Sequence, residues 1–473
     1  MTSWIDDIEA LPGPRYRAIA GAIAEAARDG RLAPGQRLPT HRELAVTLGL
    51  SLGAVTRAYR TLAEWGVVTG EVGRGTFIRR LADERVRLDA PDGVATRRID
   101  LAHAVSVPVG ALEREMLREV LETVAADPAI CAHMRAAPVA GDTRAHRAGS
   151  AWLRTLGVDA QPERIILCAG VQHAYQCVLA ATMRPGDTLC CEAMCYPGLR
   201  ALATALRLNL RPVAIDGSGL VPDAFERACR ESRPRALVCV PTGHTPTGAV
   251  MSPVRRRKIA EIARRQSVLV LEDDETTALL PNPPAPLTTL APDLGVYLGG
   301  TEIALAPGMR IAFVHAPAAL VRPISEQVRA TIWMVPAPMR EAMTVLLERG
   351  WAQRIVAARR RELDARRDLA HRALGDDEAP FRRGLHSAWL PLPEPWRADQ
   401  FAQAAADADV LVETPEPYVV AGATAPRAVR VCLGAENDSE RLERGFETVG
   451  RLLRTTPEQG KTDAPFATKS GGI

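Results

Sequence analysis

The apolar positions of this chain change their period near residue 100. Before it, Ile19, Ile23 and Ala26 recur at helical spacing in PRYRAIAGAIAEAARD. Pro14 at the start and Gly30 just past the end predict a short helix over 14–29. RLAPGQRLP reads as a turn. Thr40 then stands three residues before Glu43, a capping-box spacing that opens a helix through Arg42, Leu44, Ala45 and Leu48 and ends at Gly49. Ser51 caps the next helix, SLGAVTRAYRTLAEWG, with Val55, Ala58, Tyr59 and Leu62 on one face. Two short helices joined around Gly49 form a helix-turn-helix. VVTGEVGRGTFIRR, turning at Gly70 and Gly73 to Gly75, adds a hairpin wing.

After a charged, weakly patterned stretch, 81–99, the pattern becomes α/β. Strand-like apolar runs occur at RIILCAG (164–170), DTLCCEA (187–193), RALVCVP (235–241), SVLVLEDD (267–274) and GVYLGG (295–300). Amphipathic helical stretches such as QHAYQCVLAATM and PVRRRKIAEIARR lie between several of them, which predicts a largely parallel sheet covered on both faces. Residues 341–375 predict a long helical region leading into a smaller α+β part. The expected division is a winged helix-turn-helix over 12–80, a linker over 81–99, a large domain over 100–454 with a small subdomain from about 341, and a disordered tail over 455–473.

Composition narrows the classes. With 473 residues, 47% hydrophobic and 24% charged, the chain has globular composition and is neither disordered nor fibrous. It has no uncharged apolar run of about 18 residues, and MTSWIDDIEA is acidic where a signal peptide is basic, so a soluble cytoplasmic protein is expected. Its nine cysteines form no CxxC pair and no Cys/His ligand spacing; they read as buried thiols, with no metal site. The net charge of +3 hides an asymmetry: residues 12–80 hold eleven Arg against five acidic residues, which points to a polyanion partner. Only three of the 59 basic residues are lysine: Lys258, Lys461 and Lys469.

In a helix-turn-helix the second helix presents its first residues to base edges in the major groove, while the first helix and the wing meet the backbone or the minor groove. The candidates for a double-stranded DNA operator are Thr40, His41 and Arg42 on the first helix, Ser51, Thr56, Arg57 and Arg60 on the second, and Gly73, Arg74, Gly75 and Thr76 on the wing. The alternative is a small helical domain with solvated arginines. Across 14–80, the blocks LPTHRELA, VTRAYRTLAEWGVV and GRGTF resemble, in order, the winged-helix domain of GntR-type bacterial transcription regulators. That resemblance implies DNA contacts from Arg42, Thr56, Arg57 and the wing from Gly73 to Thr76.

CAGVQHAY (168–175), CYPGLRAL (195–202), VPTGHTPTGAVMS (240–252), LEDD (271–274), ALAPGMRIAF (304–313) and VRVCLGA (429–435) resemble the fold-type I aminotransferases that bind pyridoxal phosphate. The two domains in this order resemble the MocR subgroup of GntR regulators. The fold implied is α/β: a winged helix-turn-helix, then a fold-type I transferase-like domain with a mostly parallel sheet and a small α+β C-terminal subdomain.

The resemblance also assigns roles. The phosphate cup falls on Gly170, Val171 and Gln172 at a helix start, with Arg310 beside it. Tyr196 would stack on the ring, Asp273 would meet the pyridinium nitrogen, and Arg430 would clamp a substrate carboxylate. The reactive positions depart from the family. Its serine-lysine pair falls on Glu302 and Ile303, its asparagine on Thr245, and its tyrosine after the aspartate on Glu275 or Thr276. None of the three lysines lies in these motifs.

The resemblance therefore implies a catalytically degenerate sensor with no catalytic residues and no covalent pyridoxal phosphate. It leaves room for non-covalent pyridoxal 5′-phosphate or another small anionic effector, and implies a homodimer through the large domain. Read as residues alone, Asp273 could hold a loop, Arg310 and Arg430 could be structural ion pairs, and Tyr196 could be simple packing. His173 and His244 flank the pocket without an assigned role. The rival functions are an aminotransferase with an accessory DNA-binding domain, and a regulator whose large domain only dimerises.

Overall fold

A computed structural model of the chain describes residues 15–28, 31–33, 36–64, 67–71, 75–78, 98–135, 138–375, 381–421 and 423–456. Two compact units are present, 1–89 with 421–423, and 90–420 with 424–473.

In the first unit, helix Arg15–Arg28 buries Ile19, Ile23 and Ala26. Helix His41–Leu48 begins at Thr40 with both halves of the predicted capping box: the Glu43 N–H donates to Thr40 Oγ1 at 3.3 Å, and the Thr40 N–H donates to Glu43 Oε2 at 2.7 Å. The helix ends at Gly49, whose φ of +62° is a left-handed cap that glycine adopts without strain. Ser51 Oγ accepts the Ala54 N–H at 3.3 Å at the start of helix Leu52–Glu64. The Tyr59 hydroxyl donates to the Pro39 carbonyl at 2.6 Å and ties the two helices together. Strands β1 (Val68–Glu71) and β2 (Gly75–Ile78) pair antiparallel, with buried Val68 opposite buried Ile78. Gly73 and Arg74 of the wing, linker residues 79–97 and tail residues 457–473 lie outside the described residues.

The second unit opens with β3 (Ile99–Asp100). It is built on strands β4 (Ile165–Cys168), β5 (Thr188–Glu192), β6 (Asn209–Val213), β9 (Ala236–Cys239), β10 (Leu269–Asp274), β11 (Gly295–Gly300) and β12 (Ala312–His315), while β7 (Ile215–Asp216) and β8 (Gly219–Leu220) form a separate small hairpin. The seven-stranded order is β4-β12-β11-β10-β9-β5-β6, and β12 alone runs antiparallel to its neighbours. All of β4, β9 and β11 is buried, the pattern of strands covered on both faces. The carboxyl ends of β4, β10 and β11 therefore share one edge of the sheet, where α/β folds carry their sites.

The sequence pattern missed β6, an edge strand with alternating exposure, and the four-residue β12. The long helical region over 341–375 is two helices, Ala337–Glu348 and Trp351–Leu374, broken at Gly350 (φ +75°). Further along, β13 (Ser387–Pro391) pairs with β15 (Ala428–Cys432), and β14 (Val410–Leu411) pairs with β3. Eight cysteines are buried and Cys131 is exposed. Among the described residues no helix is long and apolar enough to cross a membrane.

Candidate functional site

Helix Leu52–Glu64 buries Val55, Ala58, Tyr59 and Leu62 and leaves Ser51, Thr56, Arg57 and Arg60 exposed on its other side. Arg42 is exposed, and among the described residues neither Arg42 nor Arg60 has an ion-pair partner. Thr40 spends its hydroxyl on the cap. His41 packs edge-on against Tyr59, ring centroids 4.4 Å apart, with Nδ1 3.4 Å from Thr56 Oγ1. The Arg57 guanidinium lies 4.3 Å over the Tyr16 ring, which restrains its fork. Gly75 and Thr76 are half-buried on β2, with Arg37 packed under Gly75. Val46 and Leu52, which no sequence motif singles out, are 83% and 46% exposed on the same two helices. Forks, hydroxyls and exposed apolar groups on one helix pair are the side-chain types that can make phosphate contacts, base hydrogen bonds and methyl contacts.

In the second unit, helix Gly170–Thr182 follows β4 directly. Gly170 has φ +80°, and a Cβ there would stand 2.5 Å from Arg310 Nη2 and 2.6 Å from Glu302 Oε1, so only glycine fits. The Glu302 carboxylate accepts the Val171 N–H and the Thr301 N–H, each at 3.1 Å, and pairs with Arg310 at 3.3 Å. The cup assigned to Gly170, Val171, Gln172 and Arg310 thus already holds an anion, supplied by the chain itself. Ile303 packs its half-buried side chain against the apolar core that includes Leu305 and Ile355. Its carbonyl accepts from Ser106 Oγ at 3.0 Å and from Arg359 Nη1 at 3.3 Å.

Asp273 lies on β10. Its Oδ2 accepts the Tyr175 hydroxyl at 2.8 Å, while Oδ1 is buried with no partner among the described residues. Burial pushes its carboxyl up to about 7, against the pull of the Tyr175 hydrogen bond. Burial and the charges of Glu302 and Asp273 likewise push the Glu275 carboxyl well above its usual range. Tyr196 lies across Gly198, and Gln172 Nε2 donates to the Gly198 carbonyl at 3.2 Å. Burial raises the Tyr196 hydroxyl, and Glu275, Asp273, Arg310 and Glu302 all act on it, which sets it among the same charges. Thr276 does not offer its hydroxyl to this group, because it donates to the Thr242 carbonyl at 2.9 Å. Thr245 is half-buried on the adjoining loop.

Arg430 on β15 is only 5% exposed. Its Nη2 donates to the Ala102 carbonyl at 2.8 Å, its guanidinium lies 5.0 Å from the Tyr418 ring centroid, and its Nε is buried without a partner among the described residues. Tyr418, whose hydroxyl burial raises, feels both Arg430 and Tyr196 and so connects the arginine to the rest of the pocket. Burial, reinforced by Arg430, pushes His386 down to about 4.

Folding also gathers Cys168, His173 and Cys177, which the linear spacing did not reveal. His173 Nδ1 accepts the Ala169 N–H at 3.1 Å, so the ring proton sits on Nε2, facing Thr331 Oγ1 at 2.7 Å and Cys177 Sγ at 3.2 Å. That pattern makes a hydrogen-bonded knot and leaves no ring lone pair for a metal. His133, Asp142 and Glu341 also converge, but Arg144 and Arg340 pair with the two acids. A cleft of about 360 Å³ lined by Leu179, Met183 and Leu206 lies near the far end of helix Gly170–Thr182 and belongs to neither site.

Residues 15–78 match the model of the gntR family of bacterial regulatory proteins, and residues 134–449 match that of aminotransferase class I and II. Over 462 residues the chain is 28% identical to the uncharacterized HTH-type transcriptional regulator YdeF of Bacillus subtilis, covering 95% of this chain and 97% of that one. It is 28% identical over 373 residues to the HTH-type pyridoxine biosynthesis transcriptional regulator PdxR of Corynebacterium glutamicum, covering 76% and 80%. An archaeal alanine:glyoxylate aminotransferase shares the fold, with a TM-score of 0.70 at 21% identity over 83% of this chain and 97% of that one.

This fold is associated with pyridoxal phosphate, yet the residues as placed do not fit that group: no amine stands at position 303, and a carboxylate lies over Gly170. With a GntR winged helix ahead of an aminotransferase class I and II domain, the chain belongs to the MocR subgroup of GntR regulators and is a DNA-binding transcription regulator.

Proposed function

We propose that the large unit is a catalytically inactive sensor for a small carboxylate-bearing effector, that the protein is a cytoplasmic homodimer through this unit, and that effector binding changes operator affinity. One contrast supports this reading above the others: a half-buried isoleucine packs against the core where transamination needs an amine, while Arg430 Nε, where a carboxylate would dock, has no partner among the described residues. A buried, hydrogen-bonded guanidinium is already desolvated and oriented, so a carboxylate gains a charge-assisted bond at little further cost. Tyr418 keeps the guanidinium in place, and Asp273 offers an acceptor to whatever donor the effector carries. Differential affinity for two arrangements of the dimer would then couple the pocket to DNA.

The test has two parts. Incubated with pyridoxal phosphate, an amino donor and a 2-oxo acid, the protein should show no turnover, and borohydride should leave no pyridoxyl mass on the chain. In DNA titrations with a panel of amino acids, Arg430→Ala should bind DNA like the wild type without effector and respond weakly with it. Turnover, a reducible adduct or a normal dose response in Arg430→Ala would overturn the proposal. A large unit that only dimerises would show no thermal shift with any compound, whereas a ligand at a hundred times its Kd adds about 2.7 kcal/mol.

A further inference from the structure

Glu302 meets three positive partners that a bound phosphate would otherwise use or neighbour: the Val171 N–H at a helix start, the Thr301 N–H and the Arg310 guanidinium. Helix starts favour anions because their first N–H groups are unpaired and the helix dipole is positive there. A carboxylate fixed to the chain next to β11 satisfies that preference without a ligand, and it is always present at high local concentration. The neighbouring acids, Glu275 and Asp273, supply a further anion with no positive charge. Glu275 is packed against Gly300, and Asp273 leaves its buried Oδ1 without a donor among the described residues. Among the described residues the unmet needs of the pocket include a hydrogen-bond donor or cation at Asp273 Oδ1, a donor at Gln172 Oε1 and an acceptor such as a carboxylate at Arg430 Nε.

We propose that Glu302 is a built-in substitute for a phosphate group and the residue that determines specificity in this pocket, so that the sensor takes unphosphorylated effectors carrying a carboxylate and an amine or other donor. This rests on the effector-sensing reading above. A phosphate monoester could enter only by expelling Glu302 from its two N–H groups and Arg310, and would then lie beside a displaced carboxylate. An unphosphorylated zwitterion needs no such exchange: its carboxylate goes to Arg430 and its ammonium to Asp273.

The experiment measures pyridoxal phosphate and pyridoxine 5′-phosphate binding to the full chain by equilibrium dialysis and thermal shift, for the wild type, Glu302→Ala and Glu302→Gln. Pyridoxine 5′-phosphate has no aldehyde and so cannot form adducts with the three lysines. Glutamine keeps the volume of the side chain but turns an NH2 group toward donors, so it should release the cup even if the alanine variant fails to fold. The wild type should show no saturable binding at millimolar ester, and at least one folded variant should bind both esters at least tenfold more tightly. Wild-type binding as tight as that of the variants, or folded variants with no gain, would overturn the proposal. These arms read Glu302 alone, while the amino-acid panel in DNA titrations reads the sensor account, so the two can fail separately.

Discussion

The winged helix and the pocket of the large unit treat polar groups in opposite ways. In the first unit the backbone needs of the helices are met locally, by Thr40, Glu43, Gly49 and Ser51, and the long cationic side chains of Arg42 and Arg60 are left in solvent. In the pocket the chain satisfies several of its own binding groups: Glu302 takes Arg310 and a helix start, and Ile303 packs against the core, while Asp273 Oδ1, Gln172 Oε1, His386 Nδ1 and Arg430 Nε are among the atoms left buried without partners among the described residues. A surface kept for a large polyanion can stay open, because water solvates it until DNA arrives. A pocket cannot leave a full set of charges unpaired in low dielectric, so when the chemistry of a ligand is lost its partners are replaced from within. The polar atoms left over are then the best guide to what still binds.

The largest effect is expected at Asp273. Its folded carboxyl holds its proton to about pH 7, whereas the unfolded group releases it near 3.8. Between these values the folded state binds the extra proton, so this group's contribution is fully present below about pH 4 and is lost as pH rises through 7. Asp273→Asn should therefore be more stable than the wild type by up to roughly 4 kcal/mol above pH 7, with the difference fading toward pH 4. Denaturant unfolding across pH 4–8 measures this; a pH-independent difference would mean that Asp273 is not a strained, ligand-facing acid.

A smaller effect is expected at Arg57, which lies against Tyr16. Arg57→Ala should cost about 1–3 kcal/mol of binding at one operator position if the fork reads a base, and under about 1 kcal/mol of folding stability. Loss spread evenly over all operator positions would instead assign Arg57 to a phosphate. Thr40→Ala should cost about 1 kcal/mol of stability through the cap. Val46→Ser, at an 83% exposed site, should stay within about 0.5 kcal/mol in thermal unfolding. A larger loss at Val46 would show that this face is covered in the free protein.

The parts of the molecule that were legible in the sequence are those set by neighbours along the chain. The capping box at Thr40 and Glu43, the stop at Gly49, and β11 at 295–300 all follow from residues a few positions apart. Local pattern was too weak for β6, whose exposed edge carries Asn209 and Arg211, and for β12, whose four residues draw their strand character from β4 and β11 on either side. The break at Gly350 was visible as a glycine but hidden inside a charged helical run. In the pocket, motif resemblance named Gly170, Tyr196, Asp273, Arg310 and Arg430 as candidates. It could not say that Glu302 closes over Val171, 131 residues away, because that contact exists only after β4 and β11 are aligned. Tyr175 and Tyr418 were missed for the same reason. The acid at 302, eight positions before Arg310 in one motif, was the signal available.

DNA binding through the small unit is what the regulator's function requires first. A duplex selected by the full chain from a random pool should be titrated by fluorescence anisotropy over a range of salt concentrations, with wild type, Arg42→Ala and Arg60→Ala. Affinity should fall steeply with salt because phosphate contacts release counterions, and each arginine that meets a phosphate should flatten the log–log slope by about one on removal. Salt-independent binding, or a slope and affinity unchanged in both variants, would contradict the assignment of this surface to DNA.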